Sequence, residues 1–395
     1  MDKLKLWWSS DHHKLRFFGF VYGLMACIKW IQLIILNPWG SNNFHVFRYS
    51  FFHLIHHQPL YIAYPTEHFD YFFYHPVFSL LFAPFALMPE KLSLVLWLCF
   101  LTVVFFQAVI KIPFKANFLW VFLVLAIFEF SKNIGHAQPN ILNCALMLFA
   151  FFSFEKNNLR IAAFLCVLLF CIKGFGAIVG IMCFLYPNTW KTIIYSLLFF
   201  IILSLSPLCV VTFQELGQHY LDWLNILRGS DIVETLSLAG FMKFTLHWQS
   251  GEPFLMGVGI TILLVSWLSV FIRRKSLTIE NRLVFFSFLL LWVVAFNRAT
   301  ESPTYLYAVV GSLILYHFGK PNKLWTIIFC ICFYIITILP TDLSLPILRE
   351  WDRKYYFRPL FLLPFIFFAL HQFIFEVKSY FKVQQTFNKS NKIHS

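Results

Sequence analysis

Apolar residues run along this chain in long unbroken blocks separated by short polar breaks. The blocks 17–36, 92–110, 193–212, 254–272, 324–340 and 358–376 approach the roughly 20 residues that a helix needs to cross the hydrocarbon of a bilayer. Shorter blocks lie at 118–130, 141–154, 283–297 and 304–318. The run 161–186 is long for one crossing, and Lys173-Gly174-Phe175-Gly176 interrupts its centre. It therefore predicts two short helices. A lipid-spanning backbone must satisfy its polar groups within itself, and the strict alternation of a β-barrel is missing. The expected fold is an all-α polytopic membrane protein of about 10–12 spans. It reads as one domain over 1–395, with tails at 1–16 and 377–395.

Composition agrees with this pattern. Of 395 residues, 59% are hydrophobic, 21% aromatic and 12% charged, against roughly 25% charged in soluble domains. A soluble enzyme with one anchor is excluded. The first block is too long for a signal-peptide core and lacks a small-residue cleavage site, so it reads as a retained span. The nine cysteines are scattered through apolar runs and read as small hydrophobes.

The net charge of +13 comes from 31 Lys and Arg against 18 Asp and Glu. With the N-terminus inside, 19 of those 31 fall in inner segments, among them Lys3, Lys111, Lys156, Arg160, Arg273-Arg274-Lys275, Lys320 and Lys378. Only Asp2, Asp11, Glu155, Glu280 and Glu376 of the acids join them. Basic loops stay cytoplasmic, so both termini are expected to be cytoplasmic. The inner loops are then short, and 37–91, 213–253 and 341–357 face outward with the compact 131–140 and 298–303. No inner loop has room for a nucleotide, and no phosphate-binding glycine motif appears. Nucleic acid is not an expected partner.

Chemistry concentrates in the outer segments. Residues 43–57 show helical apolar spacing with His45, Arg48, His53 and His56 between, which suits a helix lying in the interface. Residues 77–88, broken by Pro76, Pro84 and Pro89, predict a half-buried outer helix. Between them lie Glu67, Asp70, Tyr71, Tyr74 and His75. A carboxylate on a partly dry surface is a candidate general base; paired with Arg48 it is a solvated loop charge. His45, His53, His56, His57, His68 and His75 give no clean ligand spacing, His53/His57 being the one i,i+4 pair, so no metal is assigned. Phe130–Asn143 reads as a polar outer turn, where Lys132 and His136 suit a phosphate and Gln138 and Asn140 suit hydroxyls; the structural alternative is a tight turn with an asparagine-capped helix. Lys173, mid-run, meets an anion or snorkels, and Lys29 has the same choice. Arg298 either pairs with Glu301 or contacts a phosphate through its fork. Together these residues imply an amphipathic, anionic substrate of the lipid-linked phosphosugar kind.

Several stretches resemble glycosyltransferase family 87. They are Gln58-Pro59-Leu60-Tyr61, Tyr74-x-Pro76, the Phe82–Pro89 tail, Gly135-His136-Ala137-Gln138-Pro139-Asn140 as a Gly-Gln-x-Asn turn with an insertion, Lys173, and Glu301-Ser302-Pro303-Thr304. The resemblance implies a GT-C-like bundle with interfacial helices in its outer loops. It implies an inverting transfer of a sugar, mannose above all, from a polyprenyl-phosphate donor to an envelope glycolipid or glycan acceptor, without a cofactor. The substrate-binding set is then Arg48, Tyr74, His75, Lys132, His136, Gln138, Asn140, Lys173 and Arg298. The family's aspartate after the first span is replaced by Ser41-Asn42-Asn43, and an amide is no base. The base is then Asp70, Glu67 or Glu301, or Asn43 merely positions the acceptor, or the chain is inactive. The usual proline-set bend after the lysine is replaced by glycines. The rival readings are a lipid or polysaccharide transporter or flippase, and an envelope-polymer polymerase or ligase.

Overall fold

A computed structural model describes residues 11–36, 38–229 and 235–377. Among these, every regular element is helical. In chain order the helices are α1 (Asp11–Ile31), α2 (Asn42–Ile55), α3 (Pro76–Leu81), α4 (Ala83–Ala86), α5 (Glu90–Val109), α6 (Ala116–Gly135), α7 (Asn140–Glu155), α8 (Leu159–Ile172) and α9 (Thr189–Leu205). They continue as α10 (Phe213–Gly229), α11 (Leu238–Phe244), α12 (Gly251–Ile272), α13 (Ile279–Phe296), α14 (Tyr305–Gly319), α15 (Lys323–Phe333), α16 (Pro346–Tyr355) and α17 (Arg358–Val377). Seven helical stretches are long and apolar enough to cross a bilayer, and four shorter apolar ones accompany them. With α14 they reproduce the twelve expected blocks. The break at Lys173 is real: α8 ends there in extended backbone and Gly174–Leu185 winds on as a 3-10 helix.

The chain forms two compact units. The first holds residues 1–180 and 190–231, the second 181–189 and 232–395. In the first, α1 packs on α5 and α6, and α7 on α5 and α8. Tyr22 of α1 is fully buried among Phe105, Phe106 and Phe130 and donates to the Leu123 carbonyl at 2.7 Å. A buried phenol needs such a partner. Gly135 leaves room for the Lys29 chain, whose Nζ lies 3.8 Å from where a Cβ would stand. That sets this cation at the carbonyl end of α6, where a positive charge is stabilised.

In the second unit, α13 against α14 is the central pair. An alanine at Gly311 would bring its Cβ to 2.9 Å from the Ser287 carbonyl oxygen, so the glycine permits close approach. The buried share of α13's apolar window is 72%, against 11% for the α9 stretch Thr189–Cys209. One is core and the other presents Ile194, Leu197, Leu198, Ile201 and Ile202 outward. Such a stripe is intolerable in water and ordinary in lipid.

Several boundaries differ from the sequence reading. Residues 11–16 are not tail but the first turns of α1, and Val377 ends α17; the tails' other residues, 1–10 and 378–395, lie outside the described residues. The block 118–130 extends to Gly135, because Ser131, Lys132 and Asn133 continue the helix. The polar turn thus shrinks to 136–139, and α7 is capped by Pro139 without a side-chain bond rather than by asparagine. Residues 77–88 form two short helices, α3 and α4, instead of one. The long loops 213–253 and 341–357 hold α10, α11 and α16.

Candidate active site

In the first unit, two consecutive amides at the start of α2 gather segments far apart in sequence. Asn42 is buried, and its Nδ2 donates to Asp70 Oδ2 at 2.7 Å while its Oδ1 accepts from the Phe69 amide at 3.0 Å. Asn43 Nδ2 donates to the His136 carbonyl at 3.1 Å. Asp70, Asn43 and His136, each singled out from sequence, are thereby joined. The turn they meet carries strain: Ala137 sits at φ 49°, where an L-residue costs roughly 1–2 kcal/mol. Its carbonyl is held by the Trp97 indole at 3.0 Å, and that ring packs among Phe47, Phe82 and Phe85.

The remaining candidate carboxylates are engaged elsewhere. Glu67 faces His53, with Oε2 2.8 Å from Nε2. Glu301 belongs to the second unit, where its side chain accepts from the Thr304 amide in a capping box. Arg48 donates to the Met88 carbonyl at 2.7 Å and lies over Phe52. Asp70 is exposed. Tyr71 beside it is also exposed, whereas Tyr74 packs its ring into Phe47 and Phe78.

The candidate cations divide between the units. Lys132 lies 2.5 Å from Glu129, whose side chain is fully buried, so it is the counter-ion of a carboxylate inside α6. Lys173 holds its ammonium 5.9 Å from the Tyr74 ring and 5.9 Å from the Phe175 ring, within cation–π reach. No glycine after it has positive φ. Gly176 instead supplies space: a Cβ there would stand 2.5 Å from the buried Asn143 amide nitrogen. In the second unit Arg298 lies 3.7 Å from Glu252. Gln138 and Asn140 are buried beside the turn.

His75 is an interior residue. Its Nδ1 accepts from the Val77 amide at 3.3 Å and caps α3, and its ring meets Phe170, Tyr220 and Trp223. Burial pushes its pKa down to about 4, below the ordinary 6.5. The unfolded chain therefore binds a proton that the folded one refuses. The contribution of His75 to stability should be constant above pH ~6.5 and fall as pH drops from there toward 4, by at most about 3 kcal/mol. Melting curves in detergent between pH 7 and pH 4.5 check this. His75→Asn keeps a capping acceptor and should flatten the slope; an equally steep fall in the variant would refute the assignment.

Sequence reasoning missed a cleft in the second unit. It measures about 440 Å³ and is lined by Ser302, Arg349, Asp352, Arg353 and Arg358 among others. Arg358 and Asp352 are both buried and paired, Arg358 Nε donating to Asp352 Oδ2 at 3.0 Å, and the guanidinium lies 5.1 Å from the Tyr305 ring. Arg349 is paired with Asp342 and Arg358 with Asp352, and Arg353 adds a further positive charge to the lining. The signal was present in the amphipathic segment Pro346–Tyr355, with arginines at i and i+4, but the segment reads as an outer loop until α16 forms.

The family model for glycosyltransferase family 87 matches residues 72–300, more than half of the chain. The protein belongs to that family and is a membrane glycosyltransferase. No curated protein and no solved structure matches the chain.

Proposed function

We propose that the protein moves a hexose, mannose being the family expectation, from a polyprenyl-phosphate donor to a glycolipid or glycan acceptor at the outer face of the bacterial plasma membrane. One observation carries the chemistry. Asp70, the exposed carboxylate of the first outer loop, is tied to Asn42, within the Ser41–Asn43 stretch where family members carry their aspartate. Its carboxylate can take the proton of the acceptor hydroxyl. The hydroxyl oxygen bonds to the anomeric carbon as the carbon–oxygen bond to phosphate breaks. The lipid phosphate leaves with the electron pair and inverts the anomeric centre. Fixed cations favour that departure, because charge develops on the leaving oxygen. Lys173 on its aromatic seat, in the same unit as Asp70, is the candidate.

Transfer of label from radiolabelled polyprenyl-phosphate-mannose to extracted lipid acceptors tests the reaction. No transfer by an active preparation, with labelled lipid appearing in the opposite leaflet instead, supports a flippase. The same assay tests the cation. Lys173→Ala should raise donor KM or lower kcat by roughly tenfold or more, since about 1.4 kcal/mol is tenfold. Normal kinetics, with normal folding, removes this part of the proposal.

The outward reading rests on the basic bias of the inner segments. A cysteine introduced at Pro65 should react with an impermeant maleimide in intact cells, and one near residue 385 only after lysis. Equal labelling of both from outside would overturn the orientation.

A further inference from the structure

We infer that His53, Glu67 and His68 form a binding site for a zinc-class divalent metal ion, which fastens the loop bearing Asp70 to α2. The inference does not depend on the sugar-transfer reading. One donor atom from each of the three residues lies within 4.8 Å of the other two. His53 and His68 are buried and Glu67 is half-buried, so the cluster is not a solvated surface patch.

Three details suit the cluster to a ligand set. His53 Nε2 and Glu67 Oε2 face each other at 2.8 Å as an ion pair. A metal ion bound there would replace the proton that the two atoms share. His68 makes its hydrogen bond through Nδ1, to the Asp70 carbonyl at 2.7 Å. That fixes its tautomer and leaves Nε2 as the ligand nitrogen, the orientation that outer partners give to metal-bound histidines. His53 is seated by the Tyr64 ring stacked on it at 3.8 Å.

Tetrahedral zinc with bonds of about 2.1 Å sets its ligands roughly 3.4 Å apart. The spacings of 2.8 Å and up to 4.8 Å straddle that value, so shifts of about 1 Å close the site. Two imidazoles and one carboxylate suit zinc or another late transition metal over magnesium or calcium, which prefer oxygen. Three protein ligands leave the fourth position to water. Sequence spacing hid the set because His53 ends a helix and the other two arrive from a loop. His53/His57, the pair with helical spacing, is divided: His57 turns to Glu215 at 3.1 Å.

The experiment uses the full chain purified in detergent, stripped with a chelator and titrated with zinc against a fluorescent competitor. The wild type should bind one more equivalent per chain than the combined His53→Gln, Glu67→Gln, His68→Gln variant. Each single change should weaken that site by at least about tenfold. Melting of the stripped proteins shows whether the variants fold. Cobalt added to the wild type keeps the test decisive if they do not. A visible band several-fold stronger than that of aqueous cobalt supports the four-coordinate site, and an aqueous spectrum overturns it. Equal stoichiometry and affinity in wild type and folded combined variant also overturns it.

Discussion

Asp70→Asn should abolish sugar transfer while leaving donor binding intact. The substitution preserves size and retains an oxygen to accept from Asn42 Nδ2, so the 2.7 Å link has no reason to break. Only the ability to take a proton is lost. General-base catalysis contributes typically about 10²–10⁴-fold, and turnover should fall by that order. Donor binding by equilibrium competition separates loss of chemistry from loss of the site. If Asp70→Asn turns over normally and Glu301→Gln is dead, the base lies in the second unit. If both, and Glu67→Gln, remain active, acid–base transfer by these groups must be abandoned. The structure also revises an obvious rescue. Asn43→Asp restores a carboxylate near the family position, but Asn43 donates to the His136 carbonyl. An aspartate there sets acceptor against acceptor, at a cost of about 1–3 kcal/mol.

The largest effect on stability should come from Asp352→Ala. It leaves the Arg358 guanidinium buried without its carboxylate, and breaking a buried pair from one side costs roughly 3–5 kcal/mol. That is a large share of a typical folding free energy of about 5–15 kcal/mol. The variant should melt far below the wild type and elute largely aggregated on size exclusion. The double change Asp352→Leu, Arg358→Met removes both charges and should recover most of the loss, since an apolar replacement of a buried pair is often neutral. A single variant as stable as the wild type would show that the pair holds nothing together.

The spans were legible because lipid imposes one simple rule, and long apolar runs obey it. Even the interruption at Lys173 was visible, since a lysine and two glycines cannot sit unremarked in the middle of such a run. Where helix and loop compete on polar residues, the reading failed. Lys132 reads as a loop cation but extends α6, because buried Glu129 one turn earlier gives it a partner. The glycines after Lys173 read as backbone hinges, whereas Gly176 is small because Asn143 stands against it. Asp70, Asn43 and His136 were each recognisable by type. Their union depends on Asn42, a residue with no motif of its own. Arginines 349, 353 and 358 were lost for a similar reason: no periodicity joins the two on α16 to the third on the following helix.

The contrast between α9 and α13 has a consequence for how the sequence can drift. Around α13 the neighbours are fixed side chains, so a change of one methylene is felt as a hole or a clash. Around α9 the neighbours are acyl chains, which flow to fit whatever apolar shape is presented. Exchanges among Ile, Leu, Val and Phe on its outward stripe should pass almost unnoticed, while the same exchanges in α13 are selected against. Related chains compared position by position should therefore diverge fastest along Ile194, Leu197, Leu198, Ile201 and Ile202, yet keep their hydrophobic character throughout.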